Sequence, residues 1–359
     1  MKLLAAYLFL ITFPTFTLTS QCQERINSFR PTDAMYFPSN TDTTWARTSL
    51  SSLGWNENAV QPLLDFLNKT HTKSFMILVN GRIVMENYFN GHTAQTEWEW
   101  NSAGKSLVSF TVGIAQQEGL LDINDKVSKY LGNGWSSEAL EKEHLITIKN
   151  LLSMTSGLNS ENQLVIKKNM TYVADAGSKW SYNNVFQLLM KIVANASHQD
   201  FDTYFKSKIA NKIGMDGFWN NGLIFKIYHS NTRSAARFGL LALNNGQWKN
   251  EQIINQTFFH DCTISSQSLN PSYGYLWWLN GKSSYMVPGS DKVFQGYLIP
   301  NAPADLYAAM GARDQRIYVI PGKNMVVVRM GEPSNPAHPT FALSGFDKAL
   351  WEKIDAVIP

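Results

Sequence analysis

Ser102 and Lys105 stand three residues apart at the head of a long apolar stretch, in the only Ser-x-x-Lys of the 359-residue chain. On a helix, positions i and i+3 share a face, so the two side chains can meet. A serine hydroxyl is a poor nucleophile at neutral pH and needs an adjacent base. A lysine amine serves as that base once burial or positive neighbours disfavour its ammonium form. The residues after Lys105 are apolar nearly all round, the mark of a buried helix. Its N-terminus would add positive potential, favouring neutral Lys105 and a developing oxyanion. Alone, the pattern equally fits a serine cap on a core helix with the lysine in solvent.

Other elements must position this pair. Gly54–Asn68 carries helical spacing, with Val60, Leu63, Leu64 and Leu67 on one face. Two strand-like runs, 74–79 and 82–89, are joined by Asn80-Gly81, a strong hairpin signal. The Ser102 helix is expected to end near Gly119. From about 120 to 265 the pattern is mainly helical and loop-rich. A short helix with a glycine stop is expected over 146–157, and buried helices over 185–194 and 234–243. Strand signals return at 273–279, 306–311, 316–320 and 325–329, and 341–358 is helical in spacing. Strands first, helices in the middle and strands again predict an α+β fold. Its antiparallel sheet is built from both chain ends and flanked by helices, with a mainly helical insertion. The expected α/β part covers about 55–120 and 266–359, and the helical part about 121–265.

A loop leading into a helix, Gly177 to Asn184, contains Tyr182-x-Asn184. With Ser102-x-x-Lys105, this resembles the serine β-lactamase and penicillin-binding-protein superfamily, specifically its class C-like branch of esterases, D-amino-acid peptidases and 6-aminohexanoate-dimer hydrolases. The stretches 146–158, 180–184, 234–241, 273–279 and 318–321 are also similar to that branch, and the likeness spans roughly residues 70–355. A second Tyr-x-Asn, Tyr88-Phe89-Asn90, lies on a strand before the nucleophile and does not fit the family order.

The resemblance implies acyl transfer through Ser102, with Lys105 and Tyr182 as alternative proton acceptors and Asn184 orienting Lys105 or meeting substrate. The third motif departs from the pattern. Penicillin-recognising members carry Lys-Thr-Gly or His-x-Gly on a strand edging the site, whereas this chain has Ala309-Met310-Gly311. Gly311 is retained, and the backbone N–H groups of Ser102 and Ala312 are the implied oxyanion donors. The cation that holds a substrate carboxylate is missing, which counts against penicillin turnover. Arg313 stands nearby in sequence, where a surface ion pair is the commoner role. Trp180, Trp277 and Trp278 are candidate pocket walls or core residues.

A net charge of +3 and 16% charged residues give no reason to expect nucleic acid as a partner. No Gly-x-Ser-x-Gly, His-Glu-x-x-His or phosphate-loop motif is present, and no cofactor or metal is called for. The implied partner is a small ester or amide. Met1-Lys2, the apolar run Leu3–Phe13 and the small polar residues after it match a secretory signal over residues 1–21, which predicts export to the periplasm or medium. No later run is apolar and long enough for a membrane span. Of the two cysteines, Cys22 is a candidate for lipidation or for a disulfide with Cys262. Besides a hydrolase, two alternatives stand: a β-lactamase or D-amino-acid peptidase, and a penicillin-binding-like sensor that acylates once and stops.

Overall fold

The computed structural model describes residues 34–41, 44–222, 225–337 and 345–359. The expected signal segment, Cys22 and the start of the last expected helix lie outside the described residues. In chain order, the elements that frame the site are α1 (Val60–Lys69), β1 (Thr72–Val79), β2 (Arg82–Tyr88), β3 (Trp98–Glu99), a 3₁₀ turn (Asn101–Gly104) and α2 (Lys105–Gln117). They continue through α3 (Ile148–Leu152), α4 (Phe186–Ser197), β4 (Phe218–Asn221), β5 (Lys226–Ser230), α5 (Thr232–Leu243) and α6 (Gln256–Cys262). The last are β6 (Trp278–Leu279), β7 (Tyr307–Gly311), β8 (Gln315–Ile320), β9 (Met325–Gly331) and α7 (Gly345–Val357).

The main sheet has the order β2-β1-β9-β8-β7-β6, antiparallel throughout. Strands from the two ends of the chain therefore interleave, with Ile77 opposite Val327 and Tyr318 on the far side of that same valine. Asn80 and Gly81 both adopt positive φ, 47° and 75°, and close the β1–β2 turn as their types favour. Every residue of β8 and β9 is buried, so both faces are covered. Each fully buried aliphatic there contributes about 1.5–3 kcal/mol. Helix α5 reaches the sheet through Thr232, whose hydroxyl donates to Ser74 Oγ at 2.6 Å, and its Ala242 carbonyl accepts from the Tyr307 hydroxyl at 2.9 Å. Helices α1 and α7 meet at Phe66 and Phe346, stacked 5.8 Å apart, and Trp351 of α7 packs edge-on to Tyr318.

Three expectations are corrected. The run 273–279 is a strand only at Trp278–Leu279. Before that, Leu276 takes φ 61° and Gly274 donates to the Trp277 carbonyl, so the chain folds back on itself in a buried aromatic turn. The helix expected over 146–157 stops at Leu152, and Met154, φ 59°, takes a left-handed step before Gly157 does, φ 78°. Within the stretch expected to be helical and loop-rich, β4 and β5 form a hairpin, to which β3 adds a third strand. Cys262 is buried, and its thiol lies 3.3 Å from Ser109 Oγ.

Candidate active site

The turn that presents Ser102 is fixed on both sides. Trp100 is fully buried; its backbone N–H donates to the Tyr228 carbonyl and its indole N–H to Ser230 Oγ, each at 2.8 Å. Asn101 then takes φ 50°, a left-handed conformation that asparagine tolerates better than most residues. Its amide nitrogen donates to Glu99 Oε1 at 3.1 Å and to the Ala312 carbonyl at 3.2 Å. The chain then enters the 3₁₀ turn and α2. The first amides of a helix have no intrahelical partner, and Ser102 supplies one of them.

Helical spacing does what the sequence predicts for Lys105. Its Nζ lies 2.9 Å from Ser102 Oγ and 3.4 Å from Asn184 Oδ1. Ser102, Lys105, Tyr182 and Asn184 are each at least 97% buried. Burial pushes the Lys105 ammonium well below the ordinary lysine range, because leaving water costs the charged form most. Three aromatic rings surround the amine: the Phe186, Tyr182 and Phe225 centroids lie 4.4, 4.7 and 5.6 Å from Nζ. Asn184 is itself held, its amide nitrogen donating to the Gln163 carbonyl at 3.2 Å.

Tyr182 is packed against Trp278, stacked 5.6 Å away, with Tyr273 and Trp180 at 6.1 and 6.2 Å. Burial raises its phenol above the usual tyrosine range, while the adjacent Ser102 hydroxyl and the Arg316 charge pull the other way. Burial thus favours neutral forms of both Lys105 and Tyr182.

On the other flank, β7 ends against the turn. A Cβ added to Gly311 would lie 2.3 Å from the Trp100 carbonyl oxygen and 3.1 Å from the Ser102 nitrogen, so glycine alone permits this approach. The Gly311 carbonyl accepts from Arg316 Nη1 at 2.8 Å. Arg316 is fully buried and forks onto Asp347, at 2.6 and 3.0 Å, with Asp314 at 3.2 Å. Ala309 and Met310, at the positions of the family's cationic motif, are buried and uncharged. Arg313 pairs with Glu99 at 2.7 Å and is half exposed.

The remaining candidates separate. Trp277 is a core residue, packed on Phe110, Phe238 and Tyr307. Trp180 and Trp278 surround Tyr182, and Trp180 and Tyr182 border a cavity of about 200 Å³. Ser160, Glu161, Lys179 and Asp291 also line it, and Lys179 pairs with Asp291 at 2.8 Å across it. A larger cavity, about 670 Å³, lies by Trp45, Arg233 and Arg237 and contains none of the candidate residues. Chemistry, not volume, therefore locates the site. The second Tyr-x-Asn is elsewhere: Tyr88 donates to Glu86 Oε1 at 2.8 Å. Sequence reading missed Asn101, Phe186, Phe225 and Arg316. Asn101 had a usable local signal, an asparagine at a strand-to-helix step.

Sheet, Ser102 turn and helical cover together define a fold of the β-lactamase and transpeptidase-like class. The family model described as Beta-lactamase matches residues 65–339, and the chain belongs to that family. An uncharacterised protein of Alkalihalophilus pseudofirmus is 26% identical over 296 residues, 71% of this chain and 82% of that protein. Among solved structures, a Bacillus anthracis protein assigned as a 6-aminohexanoate-dimer hydrolase is similar with a TM-score of 0.65 and 17% identity, covering 90% of this chain and 89% of that one. A family VIII carboxylesterase is similar with a TM-score of 0.64 and 14% identity, covering 82% and 96%.

Proposed function

We propose that the protein is a serine hydrolase that cleaves a small, uncharged ester or amide through an acyl-Ser102 intermediate. The observation that carries this reading is the 2.9 Å contact between Ser102 Oγ and a lysine amine that burial drives toward neutrality. A neutral Lys105 accepts the Oγ proton as Oγ bonds to the substrate carbonyl carbon. The negative oxygen that results sits between the Ser102 and Ala312 amides, and Gly311 gives it room. As the tetrahedral intermediate collapses, the carbon–leaving group bond breaks. The proton then passes from Lys105, through the neighbouring Tyr182 hydroxyl, to the departing oxygen or nitrogen. Water repeats the sequence on the acyl-enzyme and frees Ser102. Lys105 is the better base than Tyr182, because burial eases proton loss from an ammonium and hinders it from a phenol. Asn184 steers the amine toward Ser102.

The buried, uncharged Ala309 and Met310 disfavour substrates that need a cation for their carboxylate. The named relatives include a carboxylesterase and a 6-aminohexanoate-dimer hydrolase assignment, which supports ester or amide chemistry. The test is hydrolysis of p-nitrophenyl butyrate beside Ser102→Ala. The expected loss is on the order of 10⁴–10⁶-fold in kcat, with an acyl adduct on wild-type Ser102 seen by intact mass. Full activity in Ser102→Ala would sink the reading. One equivalent of product followed by silence would turn it into the acylating-sensor alternative. We also read residues 1–21 as an export signal from their charge and apolar pattern; the mass of the mature protein recovered outside the cytoplasm tests that.

A further inference from the structure

Lys105 is a buried amine whose neighbours are a hydroxyl, an amide oxygen and three ring faces. Two of those rings come from separate elements. Phe186 opens α4, directly after the Tyr182–Asn184 stretch. Phe225 stands just before β5 and is only partly buried, at the rim of the core. The β4–β5 hairpin that delivers it is docked: the Lys226 N–H donates to Gln187 Oε1 of α4 at 3.0 Å, and Trp219 of β4 would lie 3.3 Å from a Cβ on Gly104. The two phenyl rings meet edge to face, with centroids 6.3 Å apart. Trp219 and Tyr228 continue the aromatic wall behind them, 5.1 Å apart.

The wall has two opposing effects on the amine. Ring faces attract an ammonium, by up to about 2 kcal/mol when water is excluded. The exclusion of water penalises that same ammonium. The titratable and charged groups on the surrounding elements include Tyr182 and Lys191 on the α4 side, Lys226, Tyr228 and His229 on β5, Asp202, Tyr204, Lys206 and Lys208 on the helical stretch before β4, Asp216 just ahead of β4, His260 and Asp261 on α6, and Arg316 on β8. Among the described residues Tyr182 alone of these borders the amine, and burial is the cause that depresses Lys105.

We propose that Phe186 and Phe225 are positioning residues for Lys105: Phe186 holds the amine by its ring face, Phe225 keeps water from it, and together they set the pH range in which Ser102 can be activated. This rests on the hydrolase reading, with Lys105 as base. The two rings then act with opposite sign. Phe186→Leu keeps the apolar volume and removes the π face, so the ammonium is less favoured. Phe225→Ala opens the rim to water, so the ammonium is more favoured.

The experiment is the pH dependence of kcat/KM for p-nitrophenyl butyrate in the wild type, Phe186→Leu and Phe225→Ala. The acid limb is expected to move down by about one pH unit in the first variant and up by a similar amount in the second. Phe186→Met repeats the first arm if the leucine variant does not fold. A merely structural role would lower the plateau and leave the limb in place; that result overturns the proposal, as do shifts of the same sign. The Lys105 resonance in ¹³C-lysine-labelled protein, assigned with Lys105→Gln, is titrated in parallel. It is expected to show the same opposed shifts without substrate. If no substrate is turned over, the hydrolase reading fails, and the resonance still decides the role of the rings.

Discussion

Two fully buried basic side chains flank the Ser102 turn, and they are held in opposite ways. Arg316, on the sheet side, is surrounded by acceptors: both Asp347 oxygens, Asp314 and the Gly311 carbonyl. Lys105, on the helical side, has Ser102 Oγ and Asn184 Oδ1 as its polar partners among the described residues, and ring faces for the rest. Arginine does not lose its proton in proteins, whereas a buried lysine does so readily. The sheet side therefore uses a permanent charge to fix a backbone, and the helical side keeps a charge that can be given up. Of these two, the charge paired with carboxylates holds a backbone in place, and the one without them is the proposed base.

The largest expected effect comes from the helical side. Lys105→Met should cut kcat by about 10²–10⁴-fold, the usual range for losing a positioned base. The same variant should raise the melting temperature at neutral pH. The sign follows from linkage: the unfolded chain protonates Lys105 and the folded chain resists it. Between the depressed folded pKa and the ordinary lysine value, stability therefore rises with pH. Melting curves across pH should show that slope in the wild type and a weaker one in Lys105→Met. A lower melting temperature in the variant would mean that the lysine is held by partners after all.

On the sheet side the order reverses. Arg316→Met takes the cation from buried Asp347, which keeps the Tyr318 hydroxyl as a donor, and should destabilise by about 3–5 kcal/mol, measured by urea unfolding. Adding Asp347→Leu should restore much of the loss. If the single variant were as stable as the wild type, the contrast between the two basic side chains would collapse. The smallest effect is expected at the seam. Gly311→Ala forces β7 away from Trp100 and displaces the proposed Ala312 oxyanion donor, so kcat should fall by about 10²–10³-fold. Lys105 should still titrate as in the wild type, which separates damage to the cradle from damage to the base.

Local spacing made the reactive half of the site legible. Ser102 and Lys105 lie one helical turn apart, which groups them, whereas Tyr182 and Asn184 were told from the second Tyr-x-Asn by the order of motifs that the family resemblance implies. Gly311 stood out through the resemblance, as the counterpart of the glycine in the family's third motif, and a close backbone approach suits that residue type. Long-range contacts left no such trace. Arg316 meets Asp347 from 31 residues away, and nothing in either neighbourhood marks the pairing. Phe225 was hidden because β4 and β5 are short, polar at their tips and set within helical sequence. The aromatic-rich run 273–279 suggested a strand for the opposite reason: its rings are buried in a turn, so composition alone could not show that the chain reverses there.

The interleaving of β9 between β1 and β8 has a consequence in time as well as in space. A nascent chain that has been synthesised as far as residue 300 already contains Ser102, Lys105, Tyr182 and Asn184. It has neither Gly311 nor Ala312, and β1 lacks its central neighbour. Pairings such as Ile77 with Val327 join positions 250 residues apart, contacts that form late because they close long loops. The topology thus postpones a finished cleft until β7 to β9 have been synthesised, and a growing polypeptide carries the proposed nucleophile before the strands that complete its cradle.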